Sequence, residues 1–337
     1  MKKKKDDDPG YTPMIPLRDV EDFRTALDRN VIGDRRDGKI YRYTDYIKLH
    51  VNVALATGRP LLLLGPTGCG KSSLAFNLAR VMKRQYYELV VTSRSEARDL
   101  FYRFDAVRRL GDVHATGTPA GGDATWDTYY PYIDPGPLWW IFNRASAKRR
   151  GYPDEKTLPF DEARDPAVFT PPIEKEKDED QVPAVLLIDE LDKAEPDFPN
   201  NLLVPLGSQQ FTIEELGQPI QLKRPAGDEA VSAPLVVITS NRERELPVAF
   251  VRRCVVLELP APSVDELVEV GKVVTSADRE ADLRSIATKI EVLRGPERLS
   301  IAEFLDAVRA IDRLTAHDDA LANIIRSTTW RAEDSEE

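Results

Sequence analysis

Residues 61–73 read LLLLGPTGCGKSS, and no other stretch of the chain constrains its fold as tightly. Leu61 to Leu64 are apolar without alternation, which predicts a short strand buried on both faces. Gly65-Pro66-Thr67-Gly68-Cys69-Gly70-Lys71-Ser72 follows at once and matches G-x-x-x-x-G-K-[ST], the phosphate-binding loop. Leu74, Ala75, Leu78, Ala79 and Met82 then recur at helical spacing. Strand, glycine loop and helix stand in the order that phosphate binding requires. The glycines free the backbone to turn its N–H groups toward phosphate oxygens. The helix opening at Lys71, Ser72 and Ser73 adds the positive end of its dipole. Lys71 is expected to reach the β- and γ-phosphates of a nucleotide, and Ser72 to hold Mg²⁺. The competing reading is a chance match in a glycine-rich turn, which would not require both flanking elements.

A length of 337 residues accommodates one large domain and a smaller one, and 42% apolar residues can bury a sizeable core. The net charge of −10 argues against a protein that coats nucleic acid, though not against a local basic groove. Cys69 and Cys254 are the two cysteines, too few for a disulfide framework, and they fit a reducing, cytoplasmic setting. No apolar run approaches the ~20 residues that span a bilayer, so no membrane insertion is expected. The basic start, Met1 to Lys5, lacks the apolar stretch of a secretory signal.

Strands and helices can be placed along the chain. Residues 1–40 read as a charged, proline-bearing arm, with a short helix over Val20–Leu27 and a turn over Asp34–Lys39. A helix ends at Gly58. Tyr86–Val91 predicts a second strand and Arg94–Leu110 a helix dense in arginine, with Gly111–Asp123 as a loop. A further helix spans about 137–148, its tryptophans packing rather than binding a ligand. Residues 151–182 carry many prolines and the run Glu174 to Asp180, and read as an exposed insertion. Apolar strands follow at Ala184–Glu190, Leu235–Asn241 and Val255–Leu259, with a hairpin over 210–222. Beyond Val264 the pattern is helical only, through Ser327, before an acidic tail at 331–337. Alternating strands and helices followed by helices alone predict a parallel α/β domain with a helical appendage.

Two of these strands end in chemistry. Asp189 and Glu190 close one, where open α/β sheets bind ligands. Asp189 suits Mg²⁺, and Glu190 suits deprotonating a water. Asn241 closes another, where an amide can hold both water and phosphate; it can equally be a turn residue bonded to its own backbone. Arg252 and Arg253 follow a short helix; guanidinium forks stabilise a transferring phosphoryl group, while cations at a helix end also serve the dipole alone.

Taken together, GPTGCGKS, VLLIDELDKA, VVITSN and LPVAFVRRC resemble the MoxR-like branch of the AAA+ ATPases, in the helix-2-insert group. The resemblance covers roughly residues 40–330. It implies a P-loop NTPase core with a central parallel sheet over 41–260 and an all-helical lid over 261–330. The helix-2 insert would lie within 92–137, the charged proline-rich insertion at 151–182, and the pre-sensor hairpin near 210–222. It implies ATP and Mg²⁺ as cofactors. It places Walker A at Gly65 to Ser73, with Ser72 and Asp189 on the metal. Glu190 becomes the catalytic base, Asn241 sensor 1, and Arg253 the arginine finger with Arg252 in reserve. One departure stands out: Leu299-Ser300-Ile301-Ala302-Glu303 has no arginine where a lid helix usually begins with sensor 2, and Arg298 is the nearest substitute. The family further implies a homo-oligomeric, commonly hexameric ring, a partner with a von Willebrand A domain, and a protein client remodelled or matured by ATP hydrolysis. Two other functions compete: a nucleic-acid-associated or phage-defence ATPase using the arginine-rich helix, and an ATP-gated assembly switch with little turnover.

Overall fold

The computed structural model describes residues 41–116, 129–153, 158–171, 182–223, 233–274, 280–296 and 299–314. The arm at 1–40, the expected helix at 319–327, the tail, the acidic run at 174–180 and Arg298 lie outside the described residues. Helix α1 (Asp45–Thr57) opens where the Thr44 hydroxyl accepts from the Ile47 N–H, and stops at Gly58, whose φ is 64°. Strand β1 (Leu61–Leu64), helix α2 (Lys71–Val81) and strand β2 (Gln85–Val90) follow as the sequence predicts. After them come β3 (Tyr102–Phe104), α3 (Ala106–Thr116), β4 (Ile133–Pro135), α4 (Pro137–Phe142) and α5 (Arg144–Lys148). Then β5 (Ala184–Asp189), α6 (Phe198–Ser208), β6 (Gln210–Ile213), β7 (Gln218–Gln221), β8 (Leu235–Ser240), α7 (Val248–Val251) and β9 (Val255–Glu258) complete the α/β part. Helices α8 (Val264–Val274), α9 (Glu280–Arg294) and α10 (Ile301–Leu314) end the described chain.

Five strands form one sheet in the order β2-β5-β8-β1-β9. Strand β2 runs parallel to β5, Val90 opposite Asp189, and β5 runs parallel to β8, Ile188 opposite Ile238. Every residue of β5 and β8 is buried, as the unbroken apolar runs of a doubly covered parallel sheet demand. This is the P-loop NTPase architecture. Two compact units divide the chain: Thr44–Leu62 with Leu78–Leu257, and Leu63–Asn77 with Tyr41 to Tyr43 and the helices after Glu258. In the second unit α8, α9 and α10 share a core of Leu267, Val268, Leu283, Ile286, Ala287, Ile290, Phe304 and Val308.

Four readings of the sequence are corrected. The arginine-dense stretch 94–110 is not one helix. A 3-10 turn at Ala97–Leu100 leads into β3, which pairs antiparallel with β4, Arg103 opposite Asp134. Tyr102 is buried and Arg103 exposed, an alternation of period two that aromatic side chains favour. Helix α3 starts only after Asp105, whose carboxylate accepts from the Arg108 N–H at 2.8 Å. It then continues through Gly111, so 111–116 is helix rather than loop. Four of the five arginines in 94–110 are engaged locally. Arg98 pairs with Glu215 and bonds the Tyr102 hydroxyl, Arg103 bonds Asp99 at 2.8 Å, and Arg108 and Arg109 lie over the rings of Tyr132 and Tyr129. Arg98 and Tyr102 also join this segment to the β6–β7 hairpin, since the Tyr102 hydroxyl accepts from the Glu214 N–H at 3.0 Å.

The helix expected over 137–148 is broken at Asn143, which ends α4 through a bond to the Trp139 carbonyl and starts α5 by accepting from the Ser146 N–H. Trp139 and Trp140 are buried packing residues, as expected.

The segment 151–182 is also less detached than its composition predicts. Within 158–171, Phe169 makes an antiparallel bridge to Tyr86 on the outer edge of β2, bonding in both directions. Phe160 packs on Tyr130 and Tyr152. Asp165 pairs with Arg144 at 2.8 Å, their side chains 21% and 9% exposed. Sparse apolar residues at 160, 163 and 169 suffice because each meets a prepared partner; no periodicity announces this.

Removing residues 158–171 is therefore expected to abolish cooperative unfolding, followed by circular dichroism in urea. Asp165→Ala, which removes a carboxylate from beside a largely buried guanidinium, should cost about 2–3 kcal/mol, somewhat below the worth of a fully buried pair. An unchanged urea midpoint in both variants would return this segment to the status of a dispensable insertion.

Candidate functional site

The phosphate loop belongs to the second unit. It turns sharply at Gly65, Gly68 and Gly70, whose φ values are 159°, 81° and 94°. Space matters there as much as backbone freedom. A Cβ on Gly65 would lie 2.1 Å from the Leu259 carbonyl oxygen, and one on Gly68 would lie 2.1 Å from the Ser300 hydroxyl. Lys71, the first residue of α2, is buried, and its Nζ donates to the carbonyls of Gly65 and Pro66 at 2.7 Å. Cys69 is buried beside it. Burial pushes its thiol up in pKa, against a smaller opposing pull from the Lys71 ammonium. Ser72 and Ser73 are half-buried on the first turn of α2, and Pro66 and Thr67 form the outer rim.

The lid helix begins on this loop. Ser300 precedes α10 and is 8% exposed; its hydroxyl accepts from the Glu303 N–H and its carbonyl from the Phe304 N–H. The next N–H, of Ile301, donates to the Gly68 carbonyl at 3.0 Å. Where the family pattern would set an arginine, this chain sets a serine-capped helix start. Tyr41 closes the other side, its ring 3.5 Å from the place a Gly70 side chain would occupy.

The carboxylates belong to the first unit. Asp189 is 2% exposed at the end of β5. Its Oδ1 accepts from the Thr239 hydroxyl at 2.6 Å, and the same Thr239 oxygen accepts from the Glu190 N–H at 2.8 Å. One hydroxyl on β8 thus fixes both acids. Glu190 sits in the left-handed region, φ 61° and ψ 46°, an uncommon conformation for a residue with a side chain and one met at functional turns. Its carboxylate is ion-paired with Lys193 at 2.8 Å; the hydrogen bond from Lys193 to Glu190 raises the Lys193 pKa above its ordinary value. Asp192, also buried, accepts from the N–H groups of Asn241 at 3.0 Å and Glu243 at 2.9 Å. Asn241 is half-buried, and Arg252 and Arg253 are exposed after α7.

The structure therefore brings Asp189, Glu190 and Asn241 together at the ends of two adjacent strands, and gathers Gly65 through Ser73 into a glycine cradle. Thr239, Asp192 and Ser300 are not singled out by the sequence. The available signals are a polar residue inside the apolar run LVVITSN and an acid three residues after Asp189.

The residues fit the group that such a loop takes. Lys71 offers a buried cation beside loop N–H groups, which suits a polyphosphate. Asp189 and Ser72 offer hard oxygen donors, as Mg²⁺ prefers. Among the described residues no cluster of three or more His, Cys, Asp or Glu could hold a metal.

Comparison with known proteins agrees on the loop. Residues 60–120 match the AAA domain of the dynein-related subfamily. No curated protein matches the chain. Among solved structures, a point mutant of Thermotoga maritima RuvB is 16% identical, with 87% of this chain and 72% of that one covered at a TM-score of 0.45. The T. maritima RuvB Holliday junction branch migration motor is 18% identical at a TM-score of 0.40, with 83% of this chain and 65% of that one covered. NtrX from Brucella abortus is 11% identical at a TM-score of 0.45, with 88% and 57% covered. The chain thus spans less than two thirds of the last two. Fold and loop define the class, a P-loop NTPase fold, and the matched stretch within it is similar to an AAA domain. The loop and the match over 60–120 suit a nucleoside triphosphate with Mg²⁺ as the ligands. No helix of the described residues is long and apolar enough to cross a membrane.

Thr239→Val keeps the shape of that side chain and removes the oxygen shared by both acids. Steady-state turnover should fall about 10- to 100-fold, the scale of an ångström-sized misplacement, while Thr239→Ser should stay near wild type. Equal activity in Thr239→Val would show that Asp189 and Glu190 hold their places without it. Gly68→Ala should weaken ATP binding by calorimetry, because φ and Ser300 both oppose a side chain.

Proposed function

We propose that this chain is a MoxR-like ring ATPase that remodels or matures a partner protein complex in the cytoplasm. The observation that carries the reading is the opposite placement of its charged groups. Asp189 is buried and tethered at a strand end, while Arg252 and Arg253 are exposed after α7. Cations so displayed suit a neighbouring subunit's phosphates. Residues 41–260 then bind nucleotide and 261–330 form the lid.

In this reading the loop N–H groups and Lys71 hold the β- and γ-phosphates of ATP, and Ser72 and Asp189 hold Mg²⁺. The metal, when bound, neutralises charge on the phosphate oxygens. Glu190 takes a proton from the attacking water, and Asn241 orients that water against the γ-phosphate. The Glu190–Lys193 pair must loosen for the carboxylate to act, so the resting arrangement restrains idle turnover. Arg253 of one copy meets the charge developing in the next copy's site. A von Willebrand A domain protein and a protein client remain the partners implied by the resemblance. The nucleic-acid alternative rests on an arginine-rich helix. Arg98, Arg103, Arg108 and Arg109 instead serve ion pairs and aromatic stacks within the chain.

Lys71→Ala should abolish ATP binding by calorimetry. Glu190→Gln should bind ATP and lose ~10²–10⁴-fold in turnover. Arg253→Ala should bind ATP and lose roughly 10³–10⁵-fold. Mixing Lys71→Ala with Arg253→Ala tests the ring, because some junctions then join an intact loop to an intact arginine, and activity should partly return. Mixed rings, verified by mass photometry, that remain inactive would count against a finger acting between copies. Capture of client with Glu190→Gln plus ATP, absent without nucleotide, tests the remodelling role.

A further inference from the structure

We infer that Arg59 is a positioning residue for the arginine finger, an inference that rests on the assignment of Arg253 above. Arg59 stands between the end of α1 and the start of β1, where sequence offers no motif. Its Nε donates to the Arg253 carbonyl at 3.1 Å. One terminal nitrogen donates to the Arg252 carbonyl, and to the Cys254 carbonyl at 2.9 Å. A single guanidinium thus grips three consecutive carbonyls, and they belong to the turn that bears both candidate fingers.

The N–H groups of that turn are held within it, Arg252 by Val248, Arg253 by Phe250 and Cys254 by Val251, whereas its carbonyls are held by Arg59. Helix α7 has only four residues, too few to be stable by itself, and the carbonyls at a helix end lack helical partners. The planar fork of an arginine can satisfy several of them in one fixed geometry, which a lysine ammonium cannot reproduce. Pro60 reinforces the grip, its carbonyl accepting from the Val255 N–H at 2.8 Å. The side chains of Arg252 and Arg253 are left exposed while their backbone is clamped. Exposed long cations sample many rotamers, and a fixed backbone origin narrows the volume they sweep. The simpler reading, a surface arginine neutralising a helix end, predicts an effect on stability alone.

The two differ in where the defect appears. Arg59→Ala should bind ATP within about twofold of wild type by calorimetry and lose roughly 10- to 100-fold in kcat, the cost of a misplaced group. Its defect should act between copies. Mixing it with Lys71→Ala should restore activity, and mixing it with Arg253→Ala should not. Arg59→Lys keeps the charge without the fork and should remain closer to Arg59→Ala than to wild type. Wild-type kcat in Arg59→Ala, full activity in Arg59→Lys, a parallel loss of ATP affinity, or rescue by Arg253→Ala would each overturn the inference. The Lys71→Ala with Arg253→Ala mixture serves as control. If that control regains activity and the Arg59→Ala mixture does not, Arg59 alone is misassigned. If the control itself fails, the assignment of Arg253 falls, and the role of Arg59 falls with it. Arg59→Gln provides a second variant should Arg59→Ala melt below the assay temperature.

Discussion

One hydroxyl group holds the acidic end of this molecule in order. Thr239 gives its proton to Asp189 and receives the N–H of Glu190, so two strands and two acids meet at one oxygen. The bond is possible only because β5 and β8 run parallel and in register, bringing their ends level. It is short and buried, where an unmade hydrogen bond costs most. Asp192 repeats the device one turn later, collecting the N–H groups of Asn241 and Glu243. The carboxylates and the amide are thus placed by backbone donors and one hydroxyl rather than by their own side-chain preferences. The scaffold fixes the backbone from which these groups project, while the Glu190 carboxylate itself is held by Lys193.

The phosphate loop is held in another way. Its glycines are required by close neighbours as well as by backbone angle, since the Leu259 carbonyl and the Ser300 hydroxyl both lie within clashing distance of any added carbon. Helix α10 begins against the loop, with Ile301 donating to Gly68. A change in loop shape on binding phosphate therefore reaches the first turn of the lid directly, through a hydrogen bond and not through a long side chain.

How far the sequence reveals all this depends on the range of the interactions. The strand, loop and helix at 61–81 are legible because every constraint in them is local: apolar run, glycine positions, helical repeat. Asp189, Glu190 and Asn241 are legible as strand-end polar residues for the same reason. The stretch 94–110 misleads because Tyr102 and Phe104 take their conformation from a partner strand at 133–135, which helix propensity does not register. Thr239 is silent because its hydroxyl matters through residues fifty positions away. Arg59 is silent for a stronger version of that reason, its three acceptors lying nearly two hundred residues downstream. Phe169 and Asp165 belong to a proline-rich, charged segment whose composition suggests solvent exposure, although single residues within it are anchored.

That anchoring has a meaning beyond stability. Strand β2 is the outermost strand on its side of the sheet, and an outermost strand presents unpaired N–H and carbonyl groups to any other chain. The backbone of Phe169 occupies those of Tyr86, and prolines at 166 and 171 flank the contact with residues that cannot extend a ladder. The segment behaves as a stopper: it completes the edge by one bridge and offers the next chain little to build on. Such a stopper guards against one kind of self-association, strand upon strand.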